Sequence, residues 1–547
     1  MVVMFNPSLR RSRMGIRLNK RFLRIALVAS AVLVAACVFL ALLSPHASSS
    51  SSFFSSFLAA FGGGGVRRKH TSPARYSFAS TSRFSPVAFA ASSDPSRLAS
   101  RRREEEEKEK EELCASFPKH LARHMIQPVL KIGHSEDGAR LAAHFATTSS
   151  CFDKDELLVV SDLDDVVFGH DAVDVLADLP AGYHDLEKNP HFQNYLLQKA
   201  MRDNGTLNEA AQKESIDGWI LDKYKFLPMV ERAWLARPGR AFYFFYEPDT
   251  YVFWDNALRF LETFDPDAPI YMGSPSPGQH DVRHDTRTWF GNGGPGVVLS
   301  RGAIKALLHR RTDANGHFLD PPLAEKWQDL VAGECCGDSV LGWALWNATV
   351  QVQGYWPMFN PHPLNGIPFS DSYWCQPVLT LHKTAPQDLS DLWHWEFANR
   401  ELHRPILYAD LWRVQHPGEP AVLNDWDNGD WDRLDVPPGP LIDTPEACEE
   451  ACRSHDACLQ WNWRGGDDKA CTLMKSIRYG VARPPEYVAD DGSRERIPKA
   501  DLPKKGKNNR RWADYRSGWL QERISNWRSE RPCEAVEWVG PSITRIF

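Results

Sequence analysis

The segment from Ala241 to Tyr246 is an aromatic strand candidate that stops at Glu247-Pro248-Asp249, two carboxylates separated by one residue. A second strand candidate, Leu157 to Val160, runs into Asp162. Ligands of open α/β sheets bind beyond the carboxyl ends of the strands, so the two acidic clusters are expected to share one location. Between Cys114 and about Val414, short β-rich runs alternate with helical patterns. That alternation predicts an α/β domain over residues 114–415.

The chain ends set the context. Ile25 to Leu43 is an apolar run without a charge. As a helix rising about 1.5 Å per residue it is long enough to cross a bilayer once. Arg10, Arg11, Arg13, Arg17, Lys20, Arg21 and Arg24 precede it, and no acidic residue occurs before Asp94. By the positive-inside rule residues 1–24 form a cytoplasmic tail, 25–43 a transmembrane signal anchor, and all that follows is translocated, which is type II topology. A cleaved signal peptide is the rival, but its apolar core is usually shorter, about 7–15 residues. Ten of the eleven cysteines lie beyond the run, where an oxidising lumen lets them pair. The sequons at Asn204 and Asn347 fit the same compartment.

Residues 44–113 are expected to be a flexible stem, Ser-, Ala- and Gly-rich at first and closing on the charge run Glu104 to Glu112. After a turn-rich stretch, residues 430–480 form a second unit with Cys448, Cys452, Cys458 and Cys471 around Trp461-Asn462-Trp463. Four cysteines this close suggest two disulfides, whose connectivity the spacing leaves open. Residues 481–547 are a C-terminal extension, ordered around Trp519, Trp527, Cys533 and Trp538. A net charge of -6 gives no reason to expect a nucleic-acid partner.

Four further features bear on chemistry. Hard oxygen donors at a strand end, as at Glu247 and Asp249, suit Mn²⁺ or another divalent cation that neutralises a diphosphate. Gly293-Gly294-Pro295-Gly296, followed by Val297-Val298-Leu299-Ser300-Arg301, allows close backbone approach to a ligand. Asp338 opens a helix-like run after Cys335-Cys336-Gly337, and His382 ends the strand-like Leu379-Thr380-Leu381. Trp254, Trp289, Tyr373 and Trp374 are aromatics near these motifs, and most are expected to be core.

Taken in order, these motifs resemble the Fringe-like inverting β-1,3-glycosyltransferases of family 31, from Asp155 to Trp412. Glu247-Pro248-Asp249-Thr250-Tyr251 falls where that family carries D-D-D-x-Y, and the glycines with Leu299-Ser300-Arg301 match its G-G-A-G…L-S-[RK] loop. The resemblance implies a GT-A-type, Rossmann-like catalytic domain with a mixed sheet, a UDP-sugar donor and Mn²⁺. It implies metal ligands Asp249 and His382, and Asp338 as general base. It also implies donor contacts from Glu247, Gly293, Gly294 and the crevice around Asp162, where capping of the next element is the simpler role for Asp162. Glu247, Pro248 and Pro295 depart from the family pattern. Galactose or N-acetylglucosamine is the expected sugar, a glycan or glycoprotein the expected acceptor, and the Golgi membrane the expected location.

The second unit resembles a PAN/apple module, a small disulfide-stapled α+β fold. That resemblance implies pairs Cys448–Cys471 and Cys452–Cys458. Two rival functions arise from the same sequence. Val159 to Val167 resembles the nucleophile strand of haloacid-dehalogenase phosphatases, although Gly342 stands where the late motif of that family needs a second acid. The other rival is a membrane-anchored, non-catalytic glycan-binding protein.

Overall fold

The computed structural model describes residues 107–118, 124–208, 216–415, 420–430, 432–436, 441–489, 493–496 and 511–545. The expected cytoplasmic tail, the apolar run 25–43 and all of the stem before residue 107 lie outside the described residues. Among the described residues no helix is long and apolar enough to cross a membrane.

An eight-stranded mixed sheet organises the α/β unit. Its strands are β1 (Ile126–Lys131), β2 (Leu158–Ser161), β3 (Asp165–Val167), β4 (His170–Asp174), β5 (Phe242–Tyr246), β7 (Tyr271–Asp281), β8 (Thr286–Ser300) and β9 (Val352–Gly354), in the order β3-β4-β2-β1-β5-β8-β7-β9. β4, β2, β1 and β5 are mutually parallel, and β8 returns antiparallel to β5. The α/β class and the mixed sheet are therefore present as expected from the sequence.

β5 lies near the middle, and its composition explains the placement. Phe242, Phe244 and Tyr246 join the core on one face of the sheet, while Tyr243 and Phe245 join the core on the other. Each aromatic side chain removed from water contributes roughly 1.5–3 kcal/mol, so an all-aromatic strand is stable only where both faces are covered. The parallel register pairs Ile126 with Phe242 and Val129 with both Phe245 and Leu158. The carboxyl ends of β1, β2 and β5 consequently lie along one edge.

A small sheet continues the unit, with β6 (Tyr251–Val252), β10 (Phe359–Asn360) and β11 (Thr380–Leu381) in the order β10-β11-β6. The Cys-rich module places the helix Pro445–Ser454, which carries Cys448 and Cys452, against strands Gln460–Arg464 and Ala470–Met474. Cys448 is bonded to Cys471 and Cys452 to Cys458. Its five-stranded sheet also uses Val422–Asn424 and Tyr515–Trp519, so it extends beyond residues 430–480 on both sides. The C-terminal segment packs on the α/β unit. Cys533 is bonded to Cys375, and Trp519, Ile524 and Val539 belong to the larger core cluster.

Candidate active site

Three strand ends and one helix start converge on a cavity of 690 Å³. β1 contributes Lys131, the turn after β5 contributes Glu247 and Asp249, and the helix Gly337–Asn347 contributes Asp338 in its first turn. His382 arrives by β-ladder register. β6 and β11 are antiparallel with Tyr251 opposite Leu381, so the residues before Tyr251 meet the residues after Leu381. Asp249 and His382 are thereby juxtaposed although 133 positions apart (382 − 249) in the chain.

His382 Nε2 lies 3.4 Å from Asp249 Oδ1 and 3.8 Å from Glu247 Oε2. One ligand atom from each of the three residues lies within 4.8 Å of the others, a spacing one divalent cation can span. Two carboxylates and an imidazole are a donor set that suits a divalent cation. The electrostatics favour a cation there. Burial, with Glu247 close by, holds the Asp249 carboxyl above its ordinary range against the pull of His382. Burial would also raise Glu247, but Lys131 at 3.0 Å and His382 override it and keep that carboxyl well below the usual range. Glu247 therefore divides its oxygens, Oε1 toward Lys131 and Oε2 toward His382.

The turn is held from several sides. Thr250 Oγ1 donates to the Gly294 carbonyl at 2.6 Å, and the Thr384 N–H donates to the Asp249 carbonyl at 2.9 Å. His144, fully buried, lies 2.9 Å by Nδ1 from the Pro248 carbonyl. A carbonyl only accepts, so Nδ1 is the protonated nitrogen, and Nε2 accepts from Ser149 Oγ at 2.8 Å. Burial holds this ring neutral, with its pKa lowered to about 3.

The glycines serve close approach rather than donor contact alone. The β7–β8 ladder passes from Gly273 opposite Val297 to Ser274 opposite Asn292, so residues 293–296 leave the ladder. A Cβ on Gly294 would fall 2.1 Å from the His382 ring, which only glycine avoids. Gly294 lines the cavity, whereas Gly293 does not. It packs against Phe226 outside the cavity lining, and its N–H donates to Asp338 Oδ2 at 2.9 Å.

Asp338 does not cap the helix; the N-cap position is Cys336. Burial pushes its carboxyl up to about 6, against the opposing N–H groups of Gly293 and Ser339. A half-buried carboxylate with a pKa near neutral is suited to receive a proton.

Asp162 is held differently from the residues of the cavity wall. It is fully buried and absent from the cavity lining. Its partners are Lys225 Nζ at 2.9 Å, the His134 N–H at 2.8 Å and Gln198 Nε2 at 3.1 Å. From there opposite charges alternate through Lys225, Asp222 and Lys131 to Glu247. Asp162 thus anchors a line of alternating charge that leads to the cavity wall.

Several cavity residues carried no sequence motif. Lys131, Lys223, Lys225, Arg140 and Lys383 supply cations, and a disulfide between neighbouring Cys335 and Cys336 lines the wall beside Asp338. Trp219 lines it too, 70% exposed. The four aromatics singled out in the sequence do not line this cavity. Trp254, Tyr373 and Trp374 are core residues, and Trp289 packs partly buried against the second core. No curated protein matches the chain. Residues 219–343, which span Trp219, the Glu247-Pro248-Asp249 turn, the glycines and Asp338, match the family model described as Fringe-like. The chain therefore carries a Fringe-like domain, consistent with a Fringe-like glycosyltransferase of family 31.

Proposed function

We propose that the protein is a metal-dependent inverting glycosyltransferase that moves a sugar, galactose or N-acetylglucosamine, from a UDP-sugar to a hydroxyl of a glycan or glycoprotein, forming a β-1,3 linkage. The convergence of Glu247, Asp249 and His382 opposite Asp338 in one cavity is the observation that carries this reading. We further read the chain as a single-pass type II protein of the Golgi membrane with a PAN/apple-like module, on the apolar run 25–43 and the cysteine pattern.

The chemistry follows from the residues present. The acceptor oxygen forms a bond to the anomeric carbon as the bond from that carbon to the diphosphate oxygen breaks, and the departing oxygen keeps the electron pair. Asp338 accepts the hydroxyl proton, for which its raised pKa prepares it. Asp249 and His382, with Oε2 of Glu247, would hold the cation, which when bound supplies Lewis-acid neutralisation of the leaving diphosphate. Lys131 keeps Glu247 ionised and adds positive charge to the same wall. Inversion requires no covalent intermediate, and no nucleophilic side chain is assigned.

The test is UDP release from a panel of UDP-sugars by the full-length protein, with Mn²⁺ or EDTA. Release that requires Mn²⁺ and is lost in both Asp249→Ala and Asp338→Asn is the expected result. Absence of release from every donor, together with absence of UDP binding, would replace this reading with the non-catalytic glycan-binding one.

A further inference from the structure

Lys383 follows His382 directly and has a left-handed backbone, with φ at 58°. The turn explains the conformation. β11 ends at Leu381, His382 enters the cluster with Glu247 and Asp249, and the next residue but one must bring its N–H to the Asp249 carbonyl, which Thr384 does at 2.9 Å. Thr384 Oγ1 also donates to the Leu381 carbonyl at 3.2 Å. A left-handed residue at 383 lets both of its neighbours face the Glu247–Asp249 turn. Glycine is the favoured residue for such a backbone, because a Cβ crowds the following carbonyl, and asparagine or aspartate come next. Lysine has none of these advantages. Residues kept in unfavoured backbone conformations cluster at functional sites, so the side chain at 383 calls for a reason apart from the turn.

Its charge supplies one. Lys383 is exposed and lines the cavity that holds Asp249 and Asp338. The other cations of that wall are engaged. Lys131 pairs with Asp222 and Glu247, Lys225 with Asp162, and Arg140 with Glu136, while Lys223 donates to the carbonyls of Ala332 and Glu334. Of the cavity's lysines and arginine, Lys383 alone has no partner among the described residues. An unpaired ammonium beside the ligands of a divalent cation repels that cation, so the two belong together only if both attract the same anion. A diphosphate has oxygens enough for both, and it gains negative charge as its bond to a sugar breaks. We propose that Lys383 is a catalytic residue that binds the diphosphate of a nucleoside diphosphate donor, beside the cation site of Glu247, Asp249 and His382. The inference rests on the transferase reading above. When the bond between the anomeric carbon and the diphosphate oxygen breaks, the electron pair stays on that oxygen, and the Lys383 ammonium hydrogen-bonds to the departing diphosphate without transferring a proton. This contact strengthens as the charge develops, so it lowers the barrier as well as aiding binding.

Isothermal titration of the full-length protein with UDP in the presence of Mn²⁺ tests it, together with UDP release from the UDP-sugar that the wild type turns over. Lys383→Met, similar in length but uncharged, is expected to bind UDP about ten-fold more weakly, the scale of one charge-assisted hydrogen bond. Its affinity for uridine, read by competition with UDP, stays at the wild-type value, and its kcat falls about 10²-fold. Lys383→Arg recovers UDP affinity to within about three-fold of wild type. Lys383→Gly suits the backbone, so it is as impaired as Lys383→Met while its Tm is no lower than that of the wild type, a separation that a merely structural role does not produce. The proposal is overturned if Lys383→Met matches wild type in UDP affinity and kcat, if uridine affinity falls as far as UDP affinity, if Lys383→Arg is as weak as Lys383→Met, or if Lys383→Gly loses activity only together with a lower Tm. Wild-type protein that neither binds UDP nor releases it from any donor would remove the transferase reading and this inference with it. Full activity in Lys383→Met, with loss in Asp249→Ala and Asp338→Asn, would remove this inference alone.

Discussion

β2 and β5 both run into acidic turns at the same edge of the sheet, yet the aspartates of those turns have opposite fates. Asp162 after β2 is buried with Lys225 and two further hydrogen-bond donors, and these overcome burial to hold its carboxyl below the ordinary range. Asp249 after β5 lines the cavity, where burial and Glu247 hold its carboxyl above that range. Position at a strand end makes a carboxylate available to a ligand. Whether a protein cation has already neutralised it determines whether an external cation is wanted.

The sharpest way to break this comparison is to remove each aspartate in turn. Asp249→Ala is expected to lower kcat by about 10³-fold, the scale of losing one preorganised electrostatic group, with an unchanged Tm. Asp162→Ala is expected to do the reverse. Leaving Lys225 buried without its nearest carboxylate costs up to about 3 kcal/mol of stability, read by denaturant unfolding, while the protein that stays folded retains the metal dependence of UDP release. A loss of activity without a loss of stability in Asp162→Ala would return Asp162 to the donor site.

A smaller effect sharpens the contrast through Asp338. Its folded-state pKa is raised from the ordinary 3.8 to about 6, so the proton-accepting form is lost as pH falls through 6. With a single essential base, kcat/KM should drop about ten-fold per pH unit below that point. In stability the sign is opposite, because the folded protein holds this proton more tightly than the unfolded chain does. Asp338 therefore favours folding below pH 3.8 and loses that contribution as pH rises through 6. Asp338→Asn removes both dependences, and an unchanged pH–rate profile in a partly active Asp338→Asn protein would exclude it as the base.

The smallest expected effect is at Trp219, exposed on the cavity rim. Trp219→Ala should raise KM for donor or acceptor about three- to ten-fold with little change in kcat, since a stacking contact is worth roughly 0.5–1.5 kcal/mol. An unchanged KM for both would confine recognition to the charged wall.

How much of this was readable without a structure follows from where each signal resides. Local chemistry was: the β5 strand and its terminal carboxylates, the helix opening at Asp338 and the late histidine are contiguous motifs, and each lies where its motif predicts. The α/β class followed from the same alternation. Roles that depend on neighbours were not. That the Gly293 N–H supports Asp338, 45 positions on in the chain, is not written in the glycine motif. Lys131 carries no motif and lies 116 positions before Glu247 (247 − 131), yet parallel pairing of β1 with β5 sets their charges 3.0 Å apart. The bond between Cys335 and Cys336 was likewise invisible.

The sequence by itself determined the residue types, their order and the strand ends at which carboxylates fall, because these depend on side-chain chemistry and on periodicities a few residues long. Tertiary structure alone decided which carboxylate meets a lysine and which remains for a cation. That outcome depends on strand register and burial, and both are properties of pairs of residues distant in the chain.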